Sequence, residues 1–337
     1  MQLVGRASFS VTLPPDWIKE YKLKPSDQIT ITREDDGTLR LAPGITREEK
    51  KEVKITIDAD RCKETGMLMR LIIGGYNRGC DSIEIVSKHA ISENHRREIN
   101  DANNTLMGMG IVESTSNRVV LQSVIETSKF PVAPLLKRFY VLVSSMNQEA
   151  LRALNDKDKS LATSIIQREN EVDKLYWLMG RQIVSAQHDR NVLKKVGLTG
   201  VSEVVLHIVV FPRIKAVSDY SLDIANNQIA MDKNGISGAD LQKIIRLGNM
   251  ANKIFSNACE AFFKRDISLA NNAVESFEPF EKMRDELSVD LCPRIKDGHL
   301  AMSLSNIIRD LRGIAAYSKF IAEVTIDNST SEKSNLP

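Results

Sequence analysis

Glu169 and Asp173 stand four residues apart in a stretch that repeats apolar residues every three to four positions, and Asp219 and Asp223 stand four apart in another. Residues at that spacing share one face of a helix. If the two helices are neighbours, four carboxylates converge, and such a set suits a hard or borderline divalent cation such as iron or manganese. Acidic pairs at i and i+4 are also ordinary on solvated helix faces, so the spacing alone leaves both readings open. Redox catalysis finds no support. A di-iron site needs Glu-x-x-His on two helices, and no glutamate stands three residues before His89, His95, His188, His207 or His299. The segment Gly74–Gly79 lacks the Lys-Ser/Thr ending of a phosphate loop, and Gly108-Met109-Gly110 lacks the third glycine of a dinucleotide fingerprint. Both read as turns. With no Gly-x-Ser-x-Gly and no cysteine beside an evident histidine, the residues point away from an enzyme.

A second set is basic. Arg6, Lys19, Lys22 and Lys24 lie near the start of the chain, where the acidic residues gather instead around Glu34-Asp35-Asp36. Residues 1–45 hold six basic and six acidic side chains, so any DNA contact rests on arrangement rather than net charge. A dimer would double the basic patch. A docking hairpin that never touches DNA accounts for the same residues. The whole chain is equally balanced, with 46 Lys and Arg against 44 Asp and Glu in 337 residues.

The elements that must position these groups differ along the chain. Ser8–Thr12 is β-rich, Leu13-Pro14-Pro15-Asp16 opens a short helix, and Gln28–Arg33 with Thr38–Leu41 makes a hairpin about Asp35-Asp36-Gly37. This head, residues 1–48, buries too little surface to be stable alone, so it is expected to dimerise or lean on the rest. Residues 50–127 alternate strand and helix: Val53–Ile57, Gly66–Tyr76, Ser82–Val86, Ser92–Leu106, then the hairpin Gly110–Glu113 with Arg118–Val124. They form a small α/β module. From Pro131 six helices are read, over 131–155, 157–189, 200–231, 238–264, 266–290 and 297–325, with Pro212 expected to kink or interrupt the third. Residues 327–337 read as a disordered tail.

The helical half repeats itself. Asp158-Lys-Ser-Leu-Ala162 returns 108 residues later as Asp266-Ile-Ser-Leu-Ala270, and Tyr220-Ser-x-x-Ile-Ala225 returns 97 later as Tyr317-Ser-x-x-Ile-Ala322. The six helices therefore divide into two three-helix bundles, 131–233 and 236–326, packed side by side. Four cysteines without a CxxC pair, no apolar run of about 18 residues and no secretory leader pattern place the chain in the cytoplasm.

Two resemblances follow from these stretches. Ser8-Phe-Ser-Val-Thr-Leu-Pro-Pro-Asp-Trp-Ile18, then Leu23-Lys-Pro-Ser-Asp-Gln-Ile29, resembles the AbrB/SpoVT swapped-hairpin family, with Pro15 at a usually basic position and Ser26 at a usual glycine. That resemblance implies an intertwined homodimer that binds DNA. The helical half resembles PhoU, the phosphate-uptake regulator: Glu169-Asn-Glu-Val-Asp173-Lys-Leu175 fits its middle helix, and Lys215-x-x-x-Asp219-x-x-x-Asp223 its third, with Lys215 for the usual glutamate. In the second repeat the corresponding residues are Phe277 and Glu281, then Arg312, Ala316 and Phe320. The family's acidic clusters hold metal, often iron, which the resemblance places on Glu169, Asp173, Asp219 and Asp223. Arg70-Leu-Ile-Ile-Gly-Gly-Tyr76-Asn-Arg-Gly79-Cys-Asp81-Ser-Ile83 matches a stretch of archaeal PhoU-type regulators that join all three parts. The implied protein is a non-enzymatic, cytoplasmic regulator of phosphate homeostasis. Its partners would be promoter DNA and the phosphate transporter or its signalling apparatus. A transporter adaptor without DNA binding, and a carboxylate metalloenzyme, are the other two readings.

Overall fold

The computed structural model describes residues 2–4, 8–33, 37–44, 52–126, 129–188, 190–231 and 236–330. The chain divides into two compact units, Met1–Glu52 and Val53–Pro337.

In the first unit β1 (Gln2–Val4) pairs antiparallel with β2 (Ser8–Ser10), the former an element the sequence did not announce. Helix α1 (Pro15–Glu20) starts on Pro15, whose missing N–H costs nothing in a first turn. β3 (Ile29–Arg33) and β4 (Leu39–Pro43) form the expected hairpin, registered Ile29 to Pro43 and Arg33 to Leu39; residues 34–36 of its turn lie outside the described residues. Ser26 stands at φ +78°, the left-handed region that a side chain disfavours and glycine does not. Among the described residues no side chain here is buried. Leu3, Phe9, Val11, Ile31 and Leu39 are all more than half exposed.

The second unit begins with a four-stranded sheet of order β5-β6-β8-β7. β5 (Lys54–Asp58) runs parallel to β6 (Ser82–Val86); β7 (Met109–Ser114) and β8 (Arg118–Ser123) are antiparallel to each other, and β8 to β6. Helix α2 (Met67–Asn77) is the crossover between the parallel strands, and α3 (Glu93–Thr105) follows, capped by the Ser92 hydroxyl. Leu68, Ile72, Tyr76, Ile83, Ile85 and Leu121 make a core with no exposure. The reading of Gly74–Gly79 as a turn is corrected: Gly74 and Gly75 lie inside α2, and only Gly79, at φ +85°, turns the chain. Gly75 is small for a packing reason, since a Cβ there would come within 2.4 Å of the Ile55 side chain on β5.

Nine helices follow among the described residues, where six were expected. Helix α4 (Val132–Asp156) is whole, but the second expected helix is α5 (Lys159–Gln167) and α6 (Glu169–His188). A short α7 (Arg190–Lys195) precedes α8 (Val201–Ala230). The second repeat has α9 (Gly238–Lys264), α10 (Ile267–Glu275), α11 (Phe277–Leu291) and α12 (Gly298–Thr330). The breaks after Gln167 and Glu275 fall 108 residues apart, so they belong to the repeat. So do the motifs that revealed it. Lys157 and Arg265 both end a helix at φ near +55°, and Asp158 and Asp266 then cap the next one, accepting from Leu161 N–H and Leu269 N–H.

Of the kink or interruption expected at Pro212, the interruption does not occur: α8 runs through it, and the burial of Val210, Phe211 and Ile214 around it offsets the roughly 3 kcal/mol that a proline costs inside a helix. The expected tail is likewise shortened. Helix α12 continues to Thr330 because Ile326 still packs on the core and the Ser329 hydroxyl donates to Thr325 O, whereas residues 331–337 lie outside the described residues. The two bundles share one continuous core. Tyr220 on α8 and Tyr317 on α12 meet with ring centroids 6.0 Å apart, and Gly313 lets the Tyr220 ring in, since a Cβ there would lie 2.3 Å from it.

Candidate functional site

The break between α5 and α6 puts Glu169 in the first turn of α6 and Asp173 one turn on, while α8 brings Asp219 and Asp223 alongside. The Glu169 carboxyl is raised by burial, a push that Lys215 opposes and that Asp173, Asp219 and Asp223 reinforce. What sits among them is Lys215. Its Nζ is 3.0 Å from Asp173 Oδ1 and 2.6 Å from Asp219 Oδ1. Its side chain is only 16% exposed. Burial works against that charge, but the hydrogen bond to Asp219 and the field of Asp173 prevail and hold the ammonium above the ordinary lysine value. The donor set therefore carries its own cation. Among the described residues no three His, Cys, Asp or Glu side chains are grouped to hold a metal ion. The residues as arranged do not fit one.

The corresponding place in the second bundle is occupied by a different pair of residue types in the same sense. Glu281 on α11 lies 3.0 Å from Arg312 Nε on α12 and 2.6 Å from Arg284 Nη2. Phe277 lies under Lys319 Nζ at 5.3 Å, and Phe320 under the Arg213 guanidinium at 4.7 Å. Position for position, the second bundle supplies one carboxylate where the first supplies four.

Helix α6 also carries a residue that the sequence pattern did not single out. Arg181 is 3% exposed. It donates from Nη1 to Tyr76 O and Cys80 O, both at 2.8 Å, pairs with Asp81 at 3.6 Å, and stands over the Tyr76 ring at 4.9 Å. Asp81 Oδ2 in turn accepts from Val53 N–H. Thus Tyr76 and Asp81, quoted above for their resemblance, are the socket into which the first bundle fits. Gly79 is part of it: a Cβ there would meet Ser185 Oγ of α6 at 2.8 Å. Tyr176 and Trp177 divide between the two sides, Tyr176 against Phe211 in the bundle and Trp177 against the module core. The available signal was an arginine eight residues after Asp173 and four after Trp177, on one helix face. Sequence reading also passed over Asp310 of α12, a carboxylate with no exposure. One of its oxygens pairs with Arg309 at 3.0 Å and the other has no hydrogen-bond partner.

Lys19, Lys22 and Lys24 are exposed along one segment, from the last turn of α1 through the turn that follows; Arg6 lies outside the described residues. The turn is fixed by Lys22 N–H donating to Lys19 O and by the Asp27 carboxylate accepting from Lys24 N–H at 2.7 Å.

Comparison with known proteins bears on all three parts. Residues 136–227 and 244–325, together just over half of the chain, match the PhoU domain. Residues 2–54 match the family described as antidote-toxin recognition MazE, bacterial antitoxin. Among solved structures the chain is similar to the phosphate transport system regulatory protein PhoU from Streptococcus pneumoniae, at 19% identity and a TM-score of 0.50, over 61% of this chain and 96% of that one. It is also similar to PhoU from Pseudomonas aeruginosa, at 17% identity and a TM-score of 0.52, over 60% and 96%. At such identities the likeness is one of fold. A comparison with curated proteins found no match. No helix among the described residues is long and apolar enough to cross a membrane.

Proposed function

This chain belongs to the PhoU family, and on that premise we propose that it is a cytoplasmic, non-catalytic regulator of phosphate uptake, with a dimeric DNA-binding head and tandem bundles that receive a signal from the transport machinery. The observation that carries the proposal is the combination of two PhoU segments with a MazE-like head in one chain. The head supports a homodimer on physical grounds. Leu3, Phe9, Val11, Ile31 and Leu39 are apolar and exposed in a unit where no described side chain is buried, and a second copy would cover them. Pairing two heads would bring two sets of Lys19, Lys22 and Lys24 onto one assembly, which is how a segment of balanced charge acquires a basic face. A partner on the bundles can alter DNA affinity only by binding two states of the chain unequally. The buried contacts of Arg181 with Tyr76, Cys80 and Asp81 support transmission as far as the α/β module.

The test is selection of DNA sequences by the full-length protein, followed by retardation of the selected fragment at rising salt. The proposal expects a shared sequence, an affinity that falls steeply with salt, and weaker binding for Lys22→Ala at every salt concentration. Absence of DNA affinity at low salt, with capture of a phosphate-transporter component intact, would establish the adaptor reading instead, which the six-against-six charge count of residues 1–45 favours.

A further inference from the structure

We propose that in both bundles a basic side chain has taken the place of a bound metal, so that each bundle is clamped by a cation of its own and needs no metal to hold its middle and third helices together. This stands independently of the regulatory reading. Asp173 and Glu281 are equivalent positions of the middle helices, 108 residues apart, and Lys215 and Arg312 are equivalent positions of the third helices, 97 apart. In each bundle these equivalents meet, Lys215 with Asp173 at 3.0 Å and Arg312 with Glu281 at 3.0 Å. The residue types differ between the repeats, lysine with aspartate and arginine with glutamate, yet the acid is on the middle helix and the base on the third both times. A pairing formed by accident on one face has no reason to recur at equivalent positions with different side chains.

The chemistry is consistent at both places. In the first bundle Lys215 bridges Asp173 and Asp219, so a divalent ion entering among the four carboxylates would face a fixed positive charge. In the second, Ala316 and Phe320 offer no ligand atoms where the first has Asp219 and Asp223, and Glu281 is already shared by Arg284 and Arg312. The two bundles thus differ in what removal of the base would leave. Without Lys215, Asp173 and Asp219 lose the charge they share, beside a Glu169 that already feels both of them and Asp223, and a divalent cation can offset that repulsion. Without Arg312 only one acid remains, with Arg284 still on it.

The experiment uses full-length protein purified from metal-supplemented medium. Elemental analysis should find no stoichiometric Fe, Mn or Zn, and the melting temperature should be unmoved by EDTA or by added Mn²⁺. Lys215→Ala should melt about 2–6 °C lower, and added Mn²⁺ should restore much of that loss by binding the folded state. Arg312→Ala should melt lower as well, with no recovery in Mn²⁺. Stoichiometric metal in the unaltered protein, with melting lowered by EDTA, overturns the proposal. So does a Lys215→Ala variant that melts unchanged, or one that Mn²⁺ does not raise. Should Lys215→Ala fail to fold, the metal content of the unaltered protein and the response of Arg312→Ala still decide.

Discussion

Replacing Arg181 by methionine keeps most of the side chain's length and apolar stem while deleting the guanidinium that joins the first bundle to the α/β module. Arg181 is 3% exposed and Asp81 9%, so the groups left behind cannot turn to water. Two backbone carbonyls, Tyr76 O and Cys80 O, each lose a donor at 2.8 Å, and the Asp81 carboxylate loses its pairing charge at 3.6 Å. Breaking a buried pair from one side costs about 3–5 kcal/mol, from which the retained methionine packing offsets roughly 1. We expect a loss of about 3 kcal/mol, read in urea titration, and a melting temperature lower by about 6–9 °C. Asp81→Asn removes the charge while keeping an oxygen that can accept from Val53 N–H. The double variant Arg181→Met with Asp81→Asn should therefore be less damaged than the sum of the two singles, by about 1–2 kcal/mol. A single variant within 1 kcal/mol of the parent, or strictly additive losses in the cycle, would refute the view that this arginine is the joint.

Three other outcomes can be stated briefly. Ser26→Gly should stabilise the head by about 0.5–1 kcal/mol, because the strain of a side chain at φ +78° exceeds the added flexibility of glycine; slower hydrogen exchange at the Ile29–Arg33 amides in the full-length protein would report it. Gly313→Ala should cost about 1–3 kcal/mol in thermal melting, since its Cβ would enter the Tyr220 ring, and pairing it with Tyr220→Leu should return part of that loss. Burial pushes the Asp310 carboxyl up to about 6, against the opposing pull of Arg309. The folded chain then holds this proton more tightly than the unfolded one, so the stabilisation is complete below about pH 4 and is lost as pH rises through about 6. Asp310→Asn should flatten that slope and melt above the parent at pH 7.5, by on the order of 2 kcal/mol; a variant that melts lower there would contradict the assignment.

Much of this was legible where a residue's role is local. Asp158 and Asp266 showed in the sequence as a repeated motif, and the structure gives that motif its local role, each capping the helix it precedes. The alternation of Ser82–Val86 fixed a strand to the residue, and the two acidic pairs were placed on their helices correctly. The helix breaks at Gln167 and Glu275 were missed in the sequence: the first falls in the polar run Gln167–Glu171, which holds no glycine or proline to mark an end, and the second lies just ahead of Pro279, a residue that suits the first turn of a new helix. Arg181 was missed too, because its firmest partners are main-chain carbonyls and so carry no residue type. Lys215 was visible as a departure from the family pattern, but only the packing of α6 on α8 shows that one ammonium reaches two carboxylates on different helices. Asp310 gave no signal at all, since a buried carboxylate and a solvated one read alike.

The two offsets of the internal repeat, 108 and 97, differ by eleven residues, and the surplus falls between α6 and α8, where α7 lies. Its position explains an asymmetry between the halves. Helix α9 opens the second bundle with its own cap, the Ser237 hydroxyl accepting from Asp240 N–H. Helix α4 opens the first with no side-chain cap, and Val132 N–H instead donates at 2.9 Å to Val196 O, just beyond α7, while Lys195 reaches back to Glu126 of the incoming chain at 3.6 Å. The surplus is therefore a mounting bracket. It gives the first repeat a main-chain point of entry for the polypeptide arriving from the α/β module, whereas in the second repeat the same end of the bundle is fastened by side chains, Arg294 beyond α11 reaching Asp240 in the first turn of α9 at 2.9 Å.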